Sequence, residues 1–99
     1  MKKREFRDYQ DKLIEDLQDA ELAQEYLNAA LLDEDPRIFL IALKNVCAAQ
    51  DIPMTDLAKK ANISRENVYR ILSKKGNPKL TSIVSLLSAV GFSLSISAK

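Results

Sequence analysis

The segment from Met54 to Leu72 limits the fold of this 99-residue chain more than any other segment. Its small and apolar residues are spaced so that two short helices can pack across a tight turn. Ala58 allows close approach of the second helix, and Asn62 stands where the turn favours a residue that tolerates left-handed backbone angles. The predicted buried seam consists of Ile63, Val68 and Ile71. This pattern is typical of a helix-turn-helix, which points to DNA as a partner.

The outer face of the second helix carries polar side chains that suit a nucleic-acid contact. The second helix of such a pair normally presents its N-terminal turns to the major groove, where arginine, asparagine and glutamate can hydrogen-bond base edges. We expect base-edge and nearby contacts from Arg65, Glu66, Asn67 and Arg70. We expect phosphate contacts from Thr55, Lys59, Ser64, Lys74, Lys75 and Lys79. Tyr69 could do either job or simply pack. The alternative is that all of these are ordinary solvated helix residues.

The charge of the chain is polarised, although its net value is only +1. Residues 1–36 contain 5 basic and 11 acidic side chains, whereas residues 37–99 contain 10 basic and 3 acidic ones. A positive C-terminal part can attract the phosphate backbone, and a negative N-terminal third could dock a basic protein. The alternative is that the acidic residues only solvate helix faces.

Length and composition argue against an enzyme. The chain suits one compact domain that folds without a metal or a disulfide. It has no histidine and only two glycines, and its single cysteine, Cys47, lies in an apolar run where a thiol is more often a small buried hydrophobe than a nucleophile. We therefore expect no catalytic site, no metal and no cofactor. No secretory leader or membrane span is recognisable, so the predicted compartment is the cytoplasm.

The spacing of apolar residues predicts an all-α fold, a small helical bundle. Two helices fill the acidic N-terminal part, the second of them capped by Asp19. A third helix begins at Pro36 after the cap Asp35 and is apolar around much of its circumference, so we expect it to be covered on several sides. The helix-turn-helix pair follows, with Ser64 predicted to cap its second helix. In the last helix Ile83, Val84, Leu86, Leu87 and Val90 are predicted to face inward, and Gly91 ends it. In domain terms, residues 1–35 form an acidic helical extension and residues 36–99 the DNA-binding part of a single compact domain.

Residues 92–97, FSLSIS, alternate strictly between apolar and polar side chains. This period of two predicts one short C-terminal β-strand. Because a strand does not comfortably leave both edges unpaired, it would need an edge from a second copy or from another protein. The alternative is an irregular tail whose apolar residues pack on the last helix.

Several segments together carry a resemblance to known proteins: LQDAELA (17–23), EYLNAAL (25–31), Asp35-Pro36, ISRENVYR (63–70), GNP (76–78) and AVGF (89–92). With them the chain resembles the phage-repressor (Cro-like, XRE) type of helix-turn-helix, and more closely the small bacterial antidote proteins of addiction modules, encoded beside a toxin of the RelE/ParE-like superfamily. Two departures from the repressor pattern are Met54 in place of glutamine and Asn62 in place of glycine. The first removes a phosphate contact at the start of the leading helix.

The resemblance implies an antitoxin of a bacterial type II toxin-antitoxin module, which neutralises its cognate toxin and represses its own operon. Since one recognition helix reads only a few base pairs, we expect a homodimer on an inverted-repeat operator, joined through the last helix and the predicted strand. Because such toxins are basic, the expected toxin-binding residues lie in the acidic N-terminal helices: Asp8, Tyr9, Asp11, Glu15, Asp16, Glu21 and Glu25. Tyr26 and Leu27 could add anchoring area or be buried in the core instead. The other interpretations are a stand-alone repressor without a toxin and a protein-interaction module that has lost DNA binding.

Overall fold

The computed structural model of this protein describes residues 2–73 and 77–99, with side-chain surroundings described from Tyr9 onward. Within those residues the chain forms six α-helices and no strand: α1 (Lys2–Asp16), α2 (Ala20–Leu31), α3 (Pro36–Ala49), α4 (Met54–Ala61), α5 (Arg65–Ile71) and α6 (Leu80–Val90). The predicted all-α architecture is therefore confirmed. The chain divides into two compact units, an N-terminal unit of Met1–Asp51 and a C-terminal unit of Ile52–Lys99. No described helix is both long and apolar enough to cross a bilayer.

Two aspartates fix the helix starts of the N-terminal unit. The carboxylate of Asp19 accepts hydrogen bonds from the backbone N–H groups of Glu21 and Leu22, at 2.8 and 3.2 Å. The carboxylate of Asp35 accepts one from the N–H of Arg37 at 3.0 Å, and Pro36 occupies the first turn of α3. Both caps satisfy N–H groups that have no partner inside a helix, so the two predicted starts are confirmed.

An ion pair reinforces the start of α3. The Arg37 guanidinium donates to Asp35 through Nη2, 2.9 Å from Oδ2. This hydrogen bond is the main reason why the pKa of Asp35 lies below its ordinary value. Both side chains face solvent, where such pairs contribute little to stability. The pair does offset the charge of Arg37 at this end of α3.

The side chains of α3 occupy the middle of the N-terminal unit, because α1 and α2 both pack against this helix. Its buried residues are Phe39, Leu40, Ala42, Leu43, Val46, Cys47 and Ala49. Two polar contacts tie the unit together: the Gln50 amide donates to the carbonyl of Leu17 at 3.2 Å, and the Asn45 amide donates to the Tyr26 hydroxyl at 2.9 Å. α3 is covered on several sides, as expected, and one side stays open, since Ile38 and Ile41 remain exposed.

The buried thiol of Cys47 is predicted to be unreactive toward thiol reagents in the folded protein. Its side chain is fully buried, and burial raises the pKa of the thiol to about 11. Because the thiolate is the reactive form, we expect the reaction with Ellman's reagent at about pH 8 to be limited by unfolding of the protein. Stoichiometric labelling is expected within minutes in about 6 M guanidinium chloride. Equally fast labelling without denaturant would contradict the burial of this thiol.

In the C-terminal unit, α4 packs against both α5 and α6. Its Leu57 is completely buried, as are Val68 of α5 and Leu86 of α6. The inward face of α6 is narrower than predicted: Leu86, Leu87 and Val90 are buried, whereas Val84, at the edge of that face, is 43% exposed. The helix ends as expected at Gly91, which has a φ of 101°. Residues with a Cβ rarely adopt this backbone angle. The next residue, Phe92, donates its N–H to the carbonyl of Leu87 at 2.8 Å.

The predicted C-terminal β-strand is wrong. Residues 92–99 have no regular secondary structure, and Ile96, one of the residues expected on the buried side, is fully exposed. Alternation alone cannot form a strand, because the N–H and C=O groups of a strand need a neighbouring edge. The described part of this chain has no other strand to provide that edge. The segment is the irregular tail of the alternative interpretation, although Ile96 does not pack on α6.

Candidate functional site

The connection between α4 and α5 is set by backbone hydrogen bonds around Asn62. This residue has φ 57° and ψ 44°, in the left-handed region. The N–H of Asn62 donates to the carbonyl of Lys59 at 3.2 Å, and the N–H of Ile63 donates to the carbonyl of Ala58 at 3.0 Å. This pair of bonds is a Schellman motif, which ends a helix and turns the chain. The turn is therefore compatible with asparagine at the position where many repressors have glycine.

We predict that stability depends on the left-handed backbone of Asn62. Replacing Asn62 by valine is expected to lower the free energy of unfolding by about 1 to 2 kcal/mol, because a β-branched side chain clashes in this region. Replacement by glycine is expected to be neutral or slightly stabilising. Urea denaturation curves give the comparison, and Lys60→Val, one of the exposed positions inside α4, controls for the cost of valine in a helix. Equal midpoints for the valine and glycine variants would contradict the role of the turn.

Ser64 starts α5 immediately after this turn. Its Oγ accepts a hydrogen bond from the backbone N–H of Asn67 at 3.2 Å. The predicted cap is thus confirmed. Because the cap uses only the backbone of Asn67, the side chain of that residue remains available for other contacts.

The helix α5 has one buried and one exposed side. Val68 and Ile71 are buried, and α5 packs against α4, where Ala58 is buried as well. The third residue of the predicted seam, Ile63, is only half-buried. The five remaining side chains of α5 are exposed: Arg65, Glu66, Asn67, Tyr69 and Arg70. The polar side chains predicted to meet DNA therefore lie together on the solvent side of one short helix.

A cleft of about 580 Å³ lies where α4 meets the start of α5. It is lined by Thr55, Ala58, Lys59, Asn62, Ile63, Ser64 and Arg65. Four of these are predicted DNA contacts: Thr55, Lys59, Ser64 and Arg65. None of the seven is acidic, and the lining combines two hydroxyls, an ammonium and a guanidinium with the apolar side chains of Ala58 and Ile63. An anionic group fits this set of donors and charges.

Among the described residues, one further predicted phosphate contact does not line this cleft. Lys79 is exposed at the N-cap position of α6. Lys74 and Lys75 lie outside the described residues.

The residues predicted to bind a toxin lie on α1 and α2. Tyr9 is 68% exposed, and Asp11, Glu15, Glu21 and Glu25 are exposed too. Asp16 is half-buried and forms an ion pair with Lys12, with Nζ 3.4 Å from Oδ1. For Asp8 only the backbone, in α1, is described. Tyr26 is half-buried, with its hydroxyl bonded to Asn45, so it contributes to the packing of the unit and keeps an accessible edge.

Sequence reasoning missed the apolar side chains that this unit leaves exposed. Leu22, Ile38 and Ile41 are 43%, 37% and 48% exposed. The apolar run of α3, which includes Ile38 and Ile41, predicted cover on several sides of that helix, and only the polar residues Arg37 and Lys44 signalled an open side. No burial was predicted for Leu22. The exposure of these side chains is therefore known from the structure alone.

The described residues form a small all-α fold. The chain belongs to the family of probable addiction module antidote proteins, whose family model matches residues 8–98. An uncharacterized protein of Haemophilus influenzae is 32% identical over 84 residues, which cover 85% of this chain and 84% of the relative. No solved structure matches the chain significantly. Family membership indicates an antitoxin role with a toxin partner, and proteins of this family are generally regulators rather than enzymes.

Proposed function

We propose that this antidote protein is also a sequence-specific DNA-binding autorepressor, with α4 and α5 as a phage-repressor-type helix-turn-helix. The observation that carries the proposal is the cleft between these helices, where Thr55, Lys59, Ser64 and Arg65 converge beside the exposed face of α5. In this arrangement the N-terminal turn of α5 enters the major groove. The cleft next to it receives a backbone phosphate, which fixes the register of the helix on the duplex.

Each exposed side chain of α5 has a distinct role in this proposal. Arg65 and Arg70 suit guanine through two parallel hydrogen bonds, Asn67 suits adenine, and Glu66 can accept from cytosine. The phosphates are held by Thr55, Lys59, Ser64 and Lys79, together with Lys74 and Lys75. Tyr69 contacts either a base or a phosphate, or packs beside them. The charge of the C-terminal unit supports DNA binding by this surface. Residues 52–99 contain 8 basic and 2 acidic side chains, a net charge of +6. A field of that sign attracts DNA before any base is read.

Binding to the DNA upstream of the protein's own gene tests this proposal. We expect the purified protein to bind that duplex at least about a hundredfold more tightly than a scrambled duplex of equal composition. Its affinity should fall steeply with salt, because each phosphate contact releases condensed cations. Equal affinity for both duplexes across the salt series would overturn the repressor function and leave only protein interactions.

A two-fold dimer is part of the proposal, because one recognition helix reads too few base pairs for useful specificity. Leu80 and Val84 are one turn apart on α6 and are 69% and 43% exposed, so we place the dimer contact on this side of α6. Replacing Val84 by glutamate is expected to convert the dimer into a monomer at about 10 µM, measured by sedimentation velocity. Leu32→Glu, at a position of the other unit that is 87% exposed, should leave the dimer intact. A dimer that persists in Val84→Glu would exclude this contact.

We further propose that the N-terminal unit neutralises a toxin of the RelE/ParE-like superfamily. Its 7 basic and 12 acidic residues give a net charge of −5, opposite in sign to the C-terminal unit. The exposed Asp11, Glu15, Glu21 and Glu25 suit a basic partner and are unsuited to DNA. The protein encoded by the neighbouring gene is the partner to test, since an antidote acts on the toxin of its own module. Absence of any complex between the two purified proteins would favour the stand-alone repressor.

A further inference from the structure

The packed helices α2 and α3 have exposed apolar side chains on the side where Tyr26 meets Asn45, and the furrow between the two helices on this side forms an apolar groove. We call it the α2–α3 groove. Six residues form its two walls: Leu22, Tyr26 and Ala29 on α2, and Ile38, Ile41 and Asn45 on α3. The first three are spaced i, i+4, i+7 and the second three i, i+3, i+7, so each set lies on one side of its helix. The hydrogen bond from Asn45 to the Tyr26 hydroxyl, at 2.9 Å, joins the two sides.

The groove is apolar and accessible along its length. Leu22, Ile38 and Ile41 are 43%, 37% and 48% exposed, and Ala29 is exposed between them. The Tyr26–Asn45 bond pairs one N–H of the Asn45 amide with the Tyr26 oxygen, so a partner that covers this point has to supply polar groups for Asn45 Oδ1 and the Tyr26 O–H. Leu22 and Ala29 are seven residues apart, so the α2 wall of the groove is roughly 10 Å long, or two turns of a helix.

The charges along the groove select a basic occupant. Glu21 and Glu25 are exposed on α2 next to the Leu22 side of the groove. On the opposite edge the charge of Arg37 is offset by its ion pair with Asp35, which leaves Lys44 as the one cation of the α3 edge. The surrounding unit has a net charge of −5. A partner with a positive face is therefore attracted to the unit and oriented toward the α2 edge.

We propose that the α2–α3 groove is the docking surface for an amphipathic helix of a basic protein, the toxin that this antidote neutralises. The inference rests on the proposed neutralising function of the N-terminal unit and assigns its location. Apolar side chains of the incoming helix pack against Leu22, Ile38 and Ile41, and its lysine or arginine residues face Glu21 and Glu25. The apolar contact holds the complex, while the charges increase the rate of association and set its orientation.

The test measures binding of the full-length protein to the purified product of the neighbouring gene by isothermal titration calorimetry. Ile41→Lys is expected to weaken binding about thirtyfold or more, because it places a charge in the centre of the contact. Leu32→Lys is the matched control, since Leu32 belongs to the same unit, is 87% exposed and lies outside the groove. It is expected to bind within about twofold of the original protein.

A charge-reversal experiment tests the orientation of the partner in the groove. Glu21→Lys combined with Glu25→Lys should weaken binding about tenfold at low salt, and the loss should shrink at about 0.5 M salt as these exposed charges are screened. Asp33→Lys combined with Glu34→Lys makes the same change of net charge at two exposed positions of the α2–α3 loop. It should weaken binding much less.

The outcomes separate this inference from the function on which it rests. If the original protein does not bind the neighbouring gene product, both the neutralising function and the groove are overturned. If it binds, and Ile41→Lys binds equally well, only the groove is overturned. A second copy of this chain is the alternative occupant of the groove. Sedimentation velocity of each variant alone tests for it, because loss of a dimer in Ile41→Lys would assign the groove to that second copy. Unchanged operator affinity and thermal midpoint show that a variant is folded.

Discussion

Replacing Leu57 by alanine is expected to lower the free energy of unfolding by about 3 to 4 kcal/mol. This leucine is completely buried on α4, the helix against which both α5 and α6 pack. Alanine at this position removes the buried methyl groups and leaves a cavity that the neighbouring helices can fill only in part. Domains of this size are stable by about 5 to 15 kcal/mol in total, so the substitution removes much of the margin. Chemical denaturation with urea measures the change directly.

The same substitution at a solvent-exposed position provides the control. Leu32 belongs to the other unit, lies outside the proposed contacts and is 87% exposed, so Leu32→Ala is expected to change stability by no more than about 0.5 kcal/mol. Thermal midpoints should follow the same order, with Leu57→Ala lowered by at least about 10 °C. Similar losses for both variants would contradict the burial of Leu57 between α5 and α6.

The elements that sequence reasoning predicted are those set by local chemistry. Asp19, Asp35 and Ser64 each accept from backbone N–H groups two or three residues ahead. Such caps need no distant partner, which is why the helix starts could be placed from composition and spacing. The left-handed Asn62 was predictable for the same reason, since the turn and the residue that tolerates it are adjacent in the chain.

The elements that were not predictable depend on which surfaces meet. The period of two in residues 92–97 describes a strand only if a second edge is present, and the described chain provides none. The apolar spacing of α3 shows that this helix packs, but it cannot show that the side with Ile38 and Ile41 stays open. Val84 illustrates the same point on α6, because a residue at the edge of an apolar stripe can fall on either side of the boundary.

The candidate site was predictable in part, because some of its residues are close in the chain and others are not. Lys59, Ser64 and Arg65 are only a few residues apart across a short turn, so their convergence in one cleft follows from the short spacing between α4 and α5. Lys79 lies at the start of another helix, and its distance from the cleft could not be derived from the sequence. The apolar α2–α3 groove was not predicted at all, because it requires knowing how two helices pair.

The substitutions Arg65→Ala and Asn67→Ala, made together, are expected to abolish selective binding to the operator. Each bidentate contact with a base is worth about 1 to 3 kcal/mol, so the pair should cost roughly 30-fold to 10⁴-fold in affinity for the operator. Stability should change little, because both side chains are exposed and Ser64 caps α5 through the backbone N–H of Asn67 alone. Binding curves on the operator and on a scrambled duplex measure the selectivity.

The control for this experiment is Lys60→Ala, which removes one positive charge from α4 just as Arg65→Ala removes one from α5. Lys60 is exposed but does not line the cleft, so its loss should weaken binding to both duplexes by a similar small factor. The double variant should match Lys60→Ala on the scrambled duplex and fall far below it on the operator. Equal losses on both duplexes would mean that Arg65 and Asn67 hold phosphates rather than bases. In that case the specificity of the repressor would have to come from the remaining exposed side chains of α5, among them Glu66 and Arg70.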